Sequence, residues 1–213
     1  MEAIKLLHTL PLVFIKREPK SQIWLQDVVF RKGETILIEA NSGTGKSSLC
    51  SYIIGYRKDY LGTICFDDRD VRSFSVSDWT ALRQHSLSLL FQELRLFPEL
   101  TAMENVEIKN GLTKHKSLKE IETWFERLGI ADKKNVKVGR MSFGQQQRVA
   151  MIRALAQPFD FLLVDEPVSH LDEENSTIMG DIMMEEVRRQ GAGVIVTSIG
   201  KHMHLPYDKT FSL

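Results

Sequence analysis

Cysteine is almost missing from this chain: Cys50 and Cys65 are the only two among 213 residues. Their spacing suits neither a metal-binding pair nor a disulfide framework, so a reducing cytoplasm is the expected compartment. Cys50 reads as a small apolar residue packed within a helix. Net charge is missing too. Basic and acidic residues number 28 each, so the basic excess of a dedicated nucleic-acid binder is absent and no nucleic-acid partner is expected. No apolar run approaches the ~18–20 residues that cross a bilayer. The opening stretch, MEAIKLLHTLPLVFIKRE, has neither a basic leader nor a small-residue cleavage site, which argues against a signal peptide. Any work at a membrane would then need another chain as anchor.

What is present is an ordinary globular composition, 43% hydrophobic and 26% charged, long enough for one large domain or one domain with an inserted lobe. Wholly apolar runs at residues 13–15, 35–40, 62–66, 88–91, 161–164 and 193–198 suit buried strands covered by helices. Between them lie helical patterns. Leu118, Ile121, Trp124, Phe125 and Leu128 fall on one helical face that stops at Gly129. A second helix is expected from about Gln145 to Gln157, before Pro158. A third is expected after Asp172, with Ile178, Ile182 and Val187 inward. Strand–loop–helix units at both ends and a nearly all-helical middle predict an α/β core (about 1–91 and 158–213) interrupted by a helical lobe (about 92–157).

Two stretches carry chemistry. Residues 40–47, ANSGTGKS, match the phosphate-binding P-loop pattern G-x-x-x-x-G-K-[ST] except that Ala40 stands at the first glycine position. Gly43 and Gly45 let backbone N–H groups turn around a polyphosphate, with Asn41, Ser42 and Thr44 completing the loop. Lys46 would reach the outer phosphates, Ser47 would offer its hydroxyl to Mg²⁺, and Ser48 continues the helix whose positive end faces the anion. Were Ala40 in a left-handed conformation, its Cβ would cost ~1–2 kcal/mol. The second stretch, FLLVDEP, puts Asp165 and Glu166 at the end of an apolar strand. One carboxylate there can serve a Mg²⁺ site and the next can polarise a water as general base.

With these on hand the chain resembles the ATP-binding cassette family over nearly its full length. LLFQE, with Gln92, looks like that family's Q-loop; MSFGQQQRVAMIRAL (141–155) looks like its signature and following helix; SHLDEEN, with Asp172, is similar to its D-loop. The stretch 94–106 is similar to bacterial ATPases of the lipoprotein-releasing, macrolide-exporting and cell-division groups. The resemblance implies a P-loop NTPase core with an antiparallel β edge. It implies two cassettes, expected to be a homodimer, closing head to tail over two ATP molecules. ATP and Mg²⁺ are the implied cofactors. Separate transmembrane permease subunits are the implied partners, holding the chain at the inner face of the cell membrane.

In that scheme Ser142, Gly144 and Gln145 of one copy face the ATP held by the other, with Asp172 nearby. Gln92 contacts Mg²⁺ and the attacking water. Two departures stand out. Ser198 occupies the position where the family usually has a histidine near the γ-phosphate, and Phe143 replaces the first glycine of the signature pair. Loss of a donor like that histidine costs ~2.7–4 kcal/mol, or ~10²–10³ in rate, if it acts as an oxyanion-hole group does. The adenine-stacking residue is unassigned between Phe14, Ile15 and Arg17. Three readings follow: a transporter ATPase, a regulatory cassette with little or no hydrolysis, and a cassette acting on DNA or the ribosome. Zero net charge and the lack of a long coiled-coil insertion weigh against the third.

Overall fold

The computed structural model describes residues 1–17, 19–167, 173–200 and 202–213. In chain order the elements begin β1 (Ala3–Pro11), β2 (Asp27–Arg31), β3 (Thr35–Glu39), α1 (Lys46–Ile53), β4 (Tyr60–Phe66) and β5 (Arg69–Asp70). Next come α2 (Val76–His85), β6 (Leu87–Leu90), α3 (Ala102–Thr113), α4 (Leu118–Arg127) and α5 (Phe143–Leu155). The chain ends with β7 (Phe161–Asp165), α6 (Glu173–Gln190), β8 (Gly193–Ser198) and β9 (Lys209–Ser212).

Two sheets result. The parallel one runs β6-β7-β8-β3-β9, and the antiparallel one runs β2-β1-β4-β5. Side chains alternate across the parallel sheet, as a two-residue period requires. Leu37, Leu162, Val164, Val194 and Val196 pack in the core shared with α3 to α6. Ile36, Ile38, Leu163 and Ile195 pack in the other core, with α1 and the antiparallel sheet. Burial on both faces explains why these strands read as unbroken apolar runs.

Two sequence expectations change. Residues 13–15 are not a strand; pairing occurs earlier, over β1, and Leu12–Phe14 form a 3₁₀ turn. Pro11 has no N–H to extend the ladder, and the Leu12 N–H goes to the Asp59 carbonyl at 3.0 Å. Leu118, placed inward by its spacing, is exposed, whereas Ile121, Trp124, Phe125 and Leu128 are buried. It is the first helical residue after the Ser117 cap, ahead of the turns that pack. Gly129 ends that helix region with φ +63°, a conformation glycine adopts freely.

A buried ion pair fastens the helical region to the core. Lys116, in the link between α3 and α4, donates to Glu186 of α6 at 2.6 Å, and its ammonium lies 4.7 Å from the Trp124 ring centre. Burial pushes the Glu186 carboxyl up, but hydrogen bonds from Arg189, Lys116 and Gln190 outweigh it and hold the group below its ordinary 4.5. A carboxylate depressed in the folded state contributes stability above its unfolded pKa and loses it as pH falls through the folded one. Melting temperature is therefore expected to drop below about pH 4.5, and to drop less steeply in Glu186→Gln, as differential scanning calorimetry across pH would read.

Candidate nucleotide site

The carboxyl ends of β3, β8, β7 and β6 lie side by side, because these strands are parallel neighbours in the sheet. That edge is where parallel α/β sheets bind ligands. The P-loop leaves β3, Ser198 ends β8, Asp165 ends β7 with Glu166 next to it, and Gln92 follows β6.

The loop's backbone is set by its glycines. Gly43 has φ +80° and Gly45 φ +101°, and a Cβ on Gly43 would meet nothing within 4 Å. Ala40 does not take a positive φ; its N–H donates to the Ser198 carbonyl at 3.0 Å. The feared cost of its methyl group is thus absent. In α1 the Leu49 N–H reaches the Gly45 carbonyl at 2.9 Å. The amides of Lys46, Ser47 and Ser48 precede it and are the unpaired donors of a helix start, which favour an anion.

Lys46 is 7% exposed and turns toward the acidic strand end. Its ammonium pairs with Glu166 and lies 3.7 Å from Asp165 Oδ1. Gln92 Nε2 donates to Glu166 Oε2 at 3.1 Å. The P-loop lysine and the glutamine after β6 thus both reach the carboxylate of a third motif, Glu166. The central strand fixes both acids: the Thr197 hydroxyl donates to Asp165, and the Glu166 N–H donates to the Thr197 carbonyl at 3.1 Å. Glu166 itself has φ +49°, a left-handed conformation that costs a non-glycine residue about 1–2 kcal/mol. Strain of this kind concentrates at working sites.

A 460 Å³ cleft is lined by loop residues 41–43 and 45–48, by Gln92, Glu166 and Ile199, and by Val13, Phe14 and Arg17 from the turn after β1. Ser47, Gln92 and Asp165 line an adjoining 120 Å³ cavity with Cys50 at its wall. Hydroxyl, amide and carboxylate oxygens form a hard donor set of the kind Mg²⁺ prefers. Ser198 is 1% exposed at the end of β8, and the cleft wall passes instead through the next residue, Ile199. The sequence left the base-contacting end open. Val13, Phe14 and Arg17 line the cleft there; Ile15 does not.

The signature lies elsewhere. Ser142 caps α5 and closes a reciprocal capping box with Gln145, each side chain meeting the other's backbone N–H at 3.0 and 3.3 Å. Neither of them, nor Gly144, lines the cleft around Lys46. Phe143 is exposed beside them. Asp172 falls outside the described residues.

Sequence reasoning missed the supports beneath the loop. Trp24, 1% exposed, donates its indole N–H to the Thr44 carbonyl at 2.9 Å, and the Phe14 ring abuts Gly45. A bulky aromatic twenty residues ahead of a glycine loop was the only available hint. Trp24→Phe keeps most of the packing and deletes that bond, whose net worth is ~0.5–1.5 kcal/mol. It is expected to weaken nucleotide binding about three- to tenfold with little change in melting temperature, read by titration with a fluorescent ATP analogue.

Comparison with known proteins decides the family. A family model described as "ABC transporter" matches residues 26–169. The chain belongs to the ABC transporter family. It is 32% identical over 176 residues to the lipoprotein-releasing system ATP-binding protein LolD of Roseobacter denitrificans, covering 81% of this chain and 77% of that one. It is 31% identical over 168 residues to the ABC transporter ATP-binding protein YtrE of Bacillus subtilis, covering 78% and 73%. Its fold superposes on the dimeric MJ0796 bacterial ABC transporter cassette with TM-score 0.78 and 26% identity, over 92% of this chain and 87% of that chain. A post-hydrolysis MJ0796 dimer bound to ADP and Pi matches with TM-score 0.71. This cassette is therefore an ATP-binding ABC ATPase subunit built on the P-loop NTPase fold. Among the described residues, no helix is long and apolar enough to cross a membrane.

Proposed function

We propose that this ABC cassette powers a separate membrane-embedded permease by hydrolysing ATP between two copies of itself. It would sit at the cytoplasmic face, anchored by that partner, with residues 1–213 forming one cassette. The observation that carries the catalytic part is the convergence of Lys46, Gln92 and Glu166 on one cleft beside the P-loop. Asn41 to Ser48 would wrap the triphosphate, and Ser142, Gly144 and Gln145 of the second copy would close over it, with Asp172 beside them. Among the described residues, Ser142, Gly144 and Gln145 do not line this copy's own cleft, which favours a partner supplying them. Mg²⁺ would be held by Ser47, Gln92 and Asp165, where it would neutralise phosphate charge.

The present pairing suggests how the site is reset. Lys46 and Glu166 are paired with each other in the structure. A triphosphate offers Lys46 more negative charge, so the ammonium would move to phosphate and leave the Glu166 carboxylate without its main counter-charge. Gln92 at 3.1 Å would keep it oriented toward the cleft. Glu166 would then take a proton from the water whose oxygen bonds to the terminal phosphorus, while that phosphorus loses its bond to the bridging oxygen, which leaves with ADP.

The slow-turnover reading keeps one specific support, the burial of Ser198 behind Ile199. Its short hydroxyl does not replace the reach of an imidazole. Phosphate release by the purified protein with Mg-ATP tests both readings. Turnover that stops when Mg²⁺ is chelated supports the ATPase. Absence of turnover in the assembled membrane complex, together with a severalfold gain in Ser198→His, supports the slow cassette.

A further inference from the structure

The residue after Glu166 is held by the helix that carries the signature. Gln147, five residues past the Ser142 cap of α5, donates its side-chain amide to the Pro167 carbonyl. It is 2% exposed, and Val149, Ala150 and Ile152, which follow it on the helix, are buried as well. An apolar side chain would serve the packing there, because a buried amide is desolvated and needs its hydrogen bonds. Among the described residues its Oε1 has no partner, so the bond to Pro167 is the polar side-chain contact that accounts for it. The next residue, Arg148, donates to the Leu128 carbonyl and to Asn175 Oδ1 of α6, both at 3.0 Å, which braces α5 behind that bond.

What the bond holds is strained. Glu166 takes φ +49° immediately before a proline. The ring of that proline crowds the backbone and Cβ of the residue ahead of it and favours an extended conformation, so the left-handed setting is opposed twice. Such a conformation persists only where its surroundings over-determine it. On the near side the Glu166 N–H donates to the Thr197 carbonyl at 3.1 Å, which anchors the turn to β8. On the far side Pro167 has no N–H to offer, and its carbonyl accepts from Gln147. The carboxylate that meets Lys46 and Gln92 thus stands on a turn clamped between β8 and α5.

We propose that Gln147 is a positioning residue for Glu166: its amide holds the turn at Pro167 in the setting that aims the carboxylate into the cleft. The proposal rests on the reading above that Glu166 is the general base. Gln147 lines neither the cleft nor the adjoining cavity, so its effect on turnover passes through the turn.

Gln147→Leu tests it, because leucine deletes the donor and removes the unpartnered Oε1 with it, at similar volume. Mg-ATP turnover at saturation is expected to fall about tenfold or more, the effect of a misplaced reacting group, while affinity for a fluorescent ATP analogue stays within about twofold. Amide exchange of Glu166, followed by NMR without nucleotide, should quicken about tenfold, with Leu163 and Val164 of the same strand protected as in the wild type. In a Glu166→Gln background Gln147→Leu should lower turnover no further, since the group it positions no longer acts as base. Where the leucine variant does not fold, Gln147→Met carries the same expectations. Wild-type turnover overturns the proposal, and so does lost turnover with an unchanged Glu166 exchange rate. A loss of affinity as large as that of turnover, or an equal further loss in the Glu166→Gln background, overturns it as well. A wild-type cassette that releases no phosphate contradicts the ATPase reading alone, and the exchange rate of Glu166 then decides what Gln147 holds.

Discussion

Glu166→Gln is expected to cut phosphate release by roughly 10²–10⁴-fold, the range a positioned general base contributes. Glutamine keeps the shape and can still accept from Gln92, but its amide has no useful basicity. Binding should move the other way. In the wild type a nucleotide must draw Lys46 from its ion pair with Glu166, a pair that is nearly buried on both sides. In the variant Lys46 is already free of that carboxylate, and one negative charge fewer faces the triphosphate. ATP affinity should therefore be unchanged or tighter while turnover collapses. Single-turnover phosphate release and titration with a fluorescent analogue separate these effects. Turnover equal to wild type would remove Glu166 as the base, and a parallel loss of binding would show that it acts only as a scaffold for Lys46.

How much of this site could be seen in the sequence depended on whether a residue's role was local. The P-loop was legible because glycines, lysine and serine at fixed offsets describe one continuous turn, and Gly43 and Gly45 do hold the positive φ values that turn needs. The acidic strand end was legible for the same reason. The ion pair between Lys46 and Glu166 was not, since it depends on β8 lying between β3 and β7, an ordering no local pattern encodes. Trp24 went unseen because its function is a single long-range bond to the Thr44 carbonyl. The strand boundaries failed where burial was partial. β1 carries buried and half-buried residues with exposed His8 among them, so its pattern is weaker than the short apolar run 13–15, which turned out to be a turn with Phe14 buried and Val13 and Ile15 exposed. The two unlike cores were hidden as well, although the alternation of Ile36, Leu37 and Ile38 between them follows directly from strand geometry.

Gly45→Ala is expected to lower nucleotide affinity by about a hundredfold while leaving the fold intact. Two faults add. The residue sits at φ +101°, outside the range a Cβ tolerates well, and conformations of that kind cost ~1–2 kcal/mol. The new methyl would also lie 2.9 Å from Phe14 Cε2 and 3.2 Å from Trp24 Cζ2, on rings packed beneath the loop. Trp24 is 1% exposed and tied to Thr44, so it has no room to yield. The loop must move instead, and with it the amides of Lys46, Ser47 and Ser48 that face the phosphates. Gly43→Ala is the control: its φ of +80° carries similar strain, but its Cβ meets nothing within 4 Å. It should lose only about tenfold, the part due to backbone conformation. Fluorescent-analogue titration gives the affinities, and calorimetry checks that both variants melt as folded proteins. Equal losses at the two positions would mean that the aromatic support under Gly45 has no part in shaping the phosphate loop.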